Sequence, residues 1–169
     1  FLGATGGALE SLRMTDREVV LRALSFMAFG VDSYRQSEDL NAFLVESMDK
    51  FNNFADEALS ELASEFKSAL MKVRSIFGRY AFRKYYRHAG RRGPINKALF
   101  EAWVSAVRPY TVEVLRSKKS AIESAYLTAM NEDVAFVKSI TTSTGQANAV
   151  KLRFTVLASL LSDAVASDN

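Results

Sequence analysis

The strongest constraint on the fold is a row of apolar residues that recur every three or four positions between residues 53 and 77. Because an α-helix completes a turn in about 3.6 residues, this spacing places the apolar side chains on one helix face. Gly78 follows the row, and glycine is common immediately after a helix. At 1.5 Å per residue the segment would be about 37 Å long, which predicts one long central helix. The row consists of Phe54, Ala58, Leu62, Phe66, Leu70, Val73 and Phe77.

Helical spacing continues through most of the chain, and no stretch shows a convincing strand alternation. Thr15 and Glu18 have the spacing of a capping box, and Gly30 is expected to end the first helix. Pro94 suits the first turn of a later helix, and Pro109 is expected to break that helix. The predicted helices lie near 15–29, 38–49, 53–77, 94–107, 111–130 and 147–166, with further turns over 79–86 and after 131. These segments predict a single all-α domain over residues 1–169, a bundle of about six or seven helices.

The charges are distributed very unevenly along the chain. Residues 1–65 carry 5 basic and 12 acidic side chains, residues 66–100 carry 10 basic and no acidic ones, and residues 101–169 carry 7 of each. Aromatic residues are interspersed with the basic ones over residues 79–93, and such a surface can grip phosphates and stack on bases. The alternatives are pairing with the acidic N-terminal third, or an ordinary solvated helix face. The predicted nucleic-acid-binding residues are Arg79, Arg83, Lys84, Arg87, Arg91 and Arg92.

Missing residue types exclude several kinds of active site. The chain has no cysteine, so it has no disulfide, thiolate zinc site or cysteine nucleophile. Its only histidine is His88, which rules out a two-histidine metal site within one chain. The glycines near the start lack the Lys-Ser/Thr pair of a phosphate-binding loop. We therefore predict no catalytic residue, no metal ligand and no cofactor in this chain.

Glu57, Glu61 and Glu65 form an acidic ladder at helical spacing. Carboxylates four residues apart could hold Mg²⁺ if a third ligand converged on them, but the sequence identifies no such ligand. A ladder of this kind is more typical of a solvated helix face.

No apolar run approaches the length of about 20 residues that a membrane-spanning helix needs. The first residues include neither an initiator methionine nor a basic segment typical of a signal peptide. We therefore expect a cytoplasmic protein without a membrane partner, and we interpret the chain as a fragment of a longer multidomain protein.

Two stretches resemble a known bacterial family. Residues 13–22 read Arg-Met-Thr-Asp-Arg-Glu-Val-Val-Leu-Arg and are similar to the R-x-x-D-x-E-x-x-L-R segment of domain-of-unknown-function family 262. Residues 77–83, Phe-Gly-Arg-Tyr-Ala-Phe-Arg, and residues 92–101, Arg-Gly-Pro-Ile-Asn-Lys-Ala-Leu-Phe-Glu, resemble a later part of the same proteins. The resemblance covers about residues 13–101.

The resemblance implies a function in bacterial defence. Proteins of that family carry an N-terminal ParB-like domain with an Asp-Gly-Gln-Gln-Arg motif, linked to nucleotide-dependent DNA cleavage against phage and modified DNA. This chain contains no such motif, so the resemblance implies only the helical part, expected to be inactive alone. A nucleoside triphosphate and Mg²⁺ would then bind the parent protein, with Arg13, Glu18 and Arg22 contacting the nucleotide phosphates.

The family resemblance and the charge distribution also imply the expected partners. They are the N-terminal domain of the same protein, DNA, and a second copy in a homo-oligomer. The alternative is a non-catalytic bundle for protein interaction or oligomerisation, whose basic stretch pairs with an acidic surface.

Overall fold

A computed structural model of the protein describes residues 15–35, 39–86 and 93–167. These residues form eight α-helices, one 3₁₀ turn and no β-strand, which confirms the all-α bundle. The helices are α1 Thr15–Arg35, α2 Leu40–Phe51, α3 Asp56–Phe77, α4 Lys97–Ala106, α5 Val112–Ser117, α6 Lys119–Glu132, α7 Val134–Ser139 and α8 Ala147–Ala166. None of the described helices is long and apolar enough to cross a membrane.

The centre of the bundle is the short helix α4. Every residue from 98 to 104 is buried, and α4 packs against α1, α3 and α8. The long helix predicted from the apolar row is confirmed as α3, with 22 residues. Its fully buried residues begin at Phe66, whereas Ala58 and Leu62 are half-buried, and Phe54 of the predicted row lies before the helix begins. The second half of α3 therefore belongs to the core, and the first half lies along its edge.

A second, smaller group of buried side chains attaches α2 to the rest of the bundle. The ring centroid of Phe26 on α1 lies 5.0 Å from that of Phe43 on α2 and 4.9 Å from that of Phe154 on α8. Tyr34 packs edge-on against both Phe26 and Phe43. Aromatic pairs at these distances add about 0.5–1.5 kcal/mol each beyond the area that they bury. They fix α2 across the ends of α1 and α8.

The described residues form one helix more than the upper number predicted, because one predicted segment is interrupted; in addition, the first helix extends past its predicted end. Gly30 has φ 74° and ψ 175°, so the regular helix stops there as predicted, but a further turn continues to Arg35. The predicted helix over 111–130 divides at Lys118 into α5 and α6. Thr111 and Asp133 accept hydrogen bonds from backbone N–H groups at the starts of α5 and α7, which stabilises these short helices.

The prediction of further helix over 79–86 is wrong. Gly78 ends α3 with φ 53°, and only a 3₁₀ turn over Gly78–Tyr80 follows. Phe82 then adopts φ 63°, a conformation that costs energy for a residue with a side chain. The Phe82 ring is buried at 4.5 Å from the ring of Phe100, and its carbonyl accepts a hydrogen bond from Asn96 N–H at 2.9 Å. These contacts hold the chain in a reversal that a helix would not allow.

Candidate nucleic-acid interface

The described residues on either side of 87–92 are held together against the bundle, at a place that we call the loop base and define by Arg83, Gly93, Ile95 and Asn96. Arg83 and Ile95 form an isolated antiparallel bridge, and the Arg83 guanidinium donates to the carbonyl of Gly93. The Tyr126 hydroxyl on α6 donates to the Arg83 carbonyl at 2.9 Å. Arg83 is only 3% exposed. Its side chain therefore holds Gly93 beside it, and its backbone is held against α6.

Two basic side chains beside this loop base lie at the surface. The Arg79 guanidinium carbon lies 5.0 Å from the centroid of the Tyr80 ring, and its Nη2 donates to the Tyr80 hydroxyl at 2.9 Å. The Tyr80 and Tyr85 rings pack with centroids 5.1 Å apart. Lys84 Nζ donates to Thr141 Oγ1 at 2.7 Å. The result is a surface on which cations alternate with aromatic rings, which we call the Arg79–Lys84 surface.

Within the described ranges, no carboxylate forms an ion pair with Arg79 or Lys84. Among the described residues, the acidic N-terminal third pairs with the basic stretch 66–100 where Lys97 Nζ lies 2.6 Å from a Glu18 carboxylate oxygen. The ammonium of Lys84 has three N–H donors, of which Thr141 uses one. The Arg79–Lys84 surface therefore has donors and positive charge available for an anionic partner.

The predicted site residues fall into three groups in the structure. Arg79 is exposed and Lys84 is half-exposed, whereas Arg83 between them in the sequence is buried. Arg22 lies elsewhere, enclosed between helices with Glu18 at its edge. No observation tests the predicted contacts with phosphate or nucleic acid, so they stay predictions. The predicted residues outside the described ranges are Arg13, Arg87, Arg91 and Arg92.

A buried network of charges joins α1, α4 and α8. Arg22 Nε donates to one carboxylate oxygen of Glu101 at 2.7 Å, and Arg153 Nη2 donates to the other. Glu101 and Arg153 are fully buried, and Arg22 is 5% exposed. Glu18 extends the network to the surface, with one oxygen 3.7 Å from Arg22 Nη1 and the other accepting from Lys97. One buried carboxylate thus serves two guanidinium groups.

The surroundings shift the pKa values of Arg22 and Arg153 in opposite directions. Burial lowers the pKa of Arg22, but the charge and hydrogen bond of Glu101, with the charge of Glu18, outweigh it and leave that pKa above its ordinary value. Burial lowers the pKa of Arg153, and the nearby Arg22 charge adds to this effect, so that Glu101 compensates only in part. Arginine still stays protonated in proteins, so the network carries two positive charges and one negative charge at Glu101.

The sequence contained a signal for this network that the apolar pattern alone did not reveal. Glu101 interrupts the otherwise apolar run Ala-Leu-Phe-Glu-Ala-Trp-Val over 98–104. Arg153 lies three residues after Val150 and four before Leu157, on the apolar stripe of α8. A lone charge at a core position of each of two helices predicts a buried ion pair, because an unpaired buried charge is very costly.

The acidic ladder on α3 is exposed, and Glu65 in it pairs with Arg108 at 2.6 Å. Among the residues that the structure describes, no three His, Asp or Glu side chains are grouped so that they could hold a metal ion.

In comparisons with known proteins, no family model, no curated protein and no solved structure matched this chain. The resemblance of residues 13–101 to domain-of-unknown-function family 262 therefore stays a prediction.

Proposed function

We propose that this helical domain contacts the phosphate backbone of DNA through the Arg79–Lys84 surface and the loop that follows it. The observation that carries the proposal is the exposure of Arg79 and the half-exposed Lys84 beside the loop base, without a described carboxylate as partner. The sequence adds three arginines between this surface and Gly93, and residues 66–100 contain no acidic residue. Uncompensated cations on one face attract the DNA phosphates.

The proposed role within a larger protein comes from the family resemblance. The domain would be the helical part of a nucleotide-dependent, DNA-targeting restriction or phage-defence effector, and the cleavage chemistry would belong to another domain. Nucleotide contact by Arg13, Glu18 and Arg22 depends on the resemblance alone, because the Arg22 guanidinium is occupied by Glu101. DNA contact has the stronger physical support and is the part to test first.

A salt titration of DNA binding tests the proposal. Arg79 and Lys84 with the three arginines of the loop could supply about five phosphate contacts, since Arg83 is buried. Each contact on B-DNA contributes about −0.9 to the slope of log affinity against log salt concentration. We expect a slope near about −4.5 for a short duplex, measured by fluorescence anisotropy between low and physiological salt.

A matched pair of charge reversals shows whether the Arg79–Lys84 surface is responsible. Lys84→Glu should weaken binding at every DNA sequence and flatten the slope by at least about 1. Lys50→Glu makes the same change of charge at an exposed position on α2 and should have a much smaller effect. Equal effects of the two variants would show that only the net charge matters and would contradict the proposed surface.

A second candidate function is protein interaction, and one observation favours it. A cavity of about 870 Å³ lies between α6, α7 and α8, with Ala129, Val156 and Leu160 among its apolar lining residues. Val134 at its rim is 80% exposed. Exposed apolar surface of this kind is typical of protein interfaces. A complete lack of DNA binding at low salt would favour this second function over the first.

A further inference from the structure

Two adjoining cavities lie along the side of α3 that faces α5 and the end of α4. One has a volume of about 580 Å³ and the other about 400 Å³, and they share Ser64, Ser68 and Lys72 in their linings. The shared lining makes them one continuous groove. We call it the α3–α5 groove and define it by Ser64, Lys67, Ser68, Lys72, Ser105 and Arg116.

The charges that line the α3–α5 groove do not balance. Arg108 also lines it, but its charge is paired: Nη2 donates to Glu65 at 2.6 Å, and Nη1 donates to the Met27 carbonyl at 2.7 Å. Glu65 is the one carboxylate in the lining, and Arg108 neutralises it. The groove is therefore left with the three positive charges of its defining residues.

None of these three cations has an acidic partner within the described ranges. Lys67, Lys72 and Arg116 form no ion pair there, and Glu113, one turn before Arg116, is beyond ion-pair distance. Lys72 donates one hydrogen bond, from Nζ to the Arg108 carbonyl at 3.1 Å, which leaves two N–H groups and its charge. Like charges collected in one groove repel each other, and a bound anion would relieve that repulsion.

Hydroxyl groups add neutral donors to the same groove. Ser64 and Ser68 lie four residues apart on α3 and so share one helix face. Ser105 Oγ is buried and has no hydrogen-bond partner among the described residues. Ammonium, guanidinium and hydroxyl donors lining one concave surface match a phosphate group, which presents several acceptor oxygens and a negative charge.

We propose that the α3–α5 groove binds phosphate groups of an anionic ligand, as a site separate from the Arg79–Lys84 surface. Lys67 and Arg116, both exposed, supply charge from opposite sides of the groove, one on α3 and the other on α5. Lys72 and the serine hydroxyls bind the phosphate oxygens between them. This site does not depend on DNA binding at the Arg79–Lys84 surface, because none of its defining residues belongs to that surface.

Titration with sodium tripolyphosphate tests the groove directly. We expect the ligand to raise the thermal unfolding midpoint of the full chain, because it binds the folded state only. The double variant Lys67→Gln and Arg116→Gln should bind at least about tenfold more weakly, as expected when charged hydrogen bonds are lost. Both residues are exposed, so the variant should fold, which the midpoint without ligand verifies. Lys50→Gln, an exposed lysine on α2, is the control and should bind like the original chain.

The same variants distinguish a small phosphate ligand from nucleic acid. If the double variant weakens binding of tripolyphosphate but not of duplex DNA, the groove takes a small phosphate compound. If it weakens DNA binding as well, or DNA binding alone, the groove contacts the phosphates of nucleic acid. If it weakens neither, the inference is wrong. Lys84→Glu, measured in parallel, should weaken DNA binding but not tripolyphosphate binding. A wrong prediction for the α3–α5 groove and a wrong prediction for the Arg79–Lys84 surface therefore give different results.

Discussion

The hydroxyl of Tyr126 lies at a point where the core meets the loop base. Its ring packs against Phe77 at 5.3 Å and Trp103 at 5.2 Å between centroids, and the residue is 1% exposed. The hydroxyl donates to the Arg83 carbonyl at 2.9 Å. Burial raises the pKa of Tyr126 well above its ordinary value, and a hydrogen bond with Trp103 opposes that effect only in part. A phenolate at this position would lose its solvation, so the folded state keeps the proton.

This pKa shift predicts a loss of stability in alkaline solution. In the unfolded chain Tyr126 releases its proton near pH about 10, while in the folded chain it stays neutral to higher pH. Its contribution to stability is therefore complete below pH about 10 and declines above it, by about 1.4 kcal/mol per pH unit. Urea unfolding of the original chain at pH about 9, 10 and 11 measures this slope.

The free energy of unfolding of the Tyr126→Phe variant should depend less on pH over the same range, because phenylalanine has no ionisable hydroxyl. It should also be about 1–3 kcal/mol less stable near neutral pH, since the buried Arg83 carbonyl loses its donor. Tyr110→Phe removes a hydroxyl from a half-buried tyrosine that is not among the groups shifting the pKa of Tyr126 and is the control. An identical alkaline slope for Tyr126→Phe and the original chain would show that Tyr126 is not the responsible group.

At the scale of the helix, α4 depends on Asn96 at its start. The Asn96 side-chain oxygen accepts from Leu99 N–H at 2.9 Å and caps the helix, while Nδ2 donates to the Ile140 carbonyl at 2.8 Å. Its backbone N–H donates to the Phe82 carbonyl. One residue therefore begins the central helix and connects it to the loop base and to the end of α7.

Asn96→Ala should lower the free energy of unfolding by more than the loss of an ordinary helix cap does. A cap alone contributes about 1 kcal/mol, and the second hydrogen bond adds about 0.5–1.5 kcal/mol, so we expect a loss of about 2 kcal/mol. Thr111→Ala removes a similar cap from α5, where the hydroxyl accepts from Val114 N–H, and should cost about 1 kcal/mol. Urea unfolding of both variants makes the comparison, and equal losses would mean that the bond to Ile140 contributes nothing.

The apolar spacing was enough to predict α3 and α8, because each is a long helix with a regular buried stripe. It failed over 79–86, where a buried ring at Phe82 and hydrogen bonds from distant residues determine the backbone. The division at Lys118 was also missed, although residues 116–120, Arg-Ser-Lys-Lys-Ser, leave a gap in the apolar row there. Local pattern carries no information about contacts between segments far apart in the chain.

Candidate site residues were harder to predict than helices for a related reason. The composition identified the basic segment, yet it could not distinguish the buried Arg83 from the adjacent Lys84 at the surface. Two cations of the α3–α5 groove, Lys67 and Lys72, lie on α3, and the third, Arg116, lies far along the chain on α5, so no local sequence motif predicts the group. Charge balance in three dimensions, rather than charge density along the chain, identifies both surfaces.

At the scale of the whole molecule, Glu101 holds three helices together. Its two oxygens accept from Arg22 on α1 and Arg153 on α8, and α4 carries it through the centre of the bundle. Arg153 Nη1 also donates to the carbonyl of Thr144 at 2.7 Å, so the network reaches the turn before α8. The packing of α1 and α8 on α4 therefore depends on one negative charge.

Glu101→Gln should destabilise the bundle strongly. The substitution keeps the size of the side chain but leaves Arg153 buried without a counter-charge and Arg22 with only Glu18, 3.7 Å from its Nη1; removing one partner of a buried pair costs about 3–5 kcal/mol. Glu61→Gln makes the same change on the exposed side of α3 and should alter stability by less than about 0.5 kcal/mol. A loss below about 1 kcal/mol for Glu101→Gln in urea unfolding would contradict this account of the core.

The pinned loop base has a consequence for how a chain like this can change. The bridge between Arg83 and Ile95 and the hydrogen bond from Asn96 to Phe82 join the two described segments on either side of residues 87–92. Doubling the length of an anchored loop costs only about 0.6 kcal/mol in closure entropy. Insertions, deletions or an exchanged recognition segment could therefore be accommodated between residues 84 and 94 while the eight helices keep their arrangement.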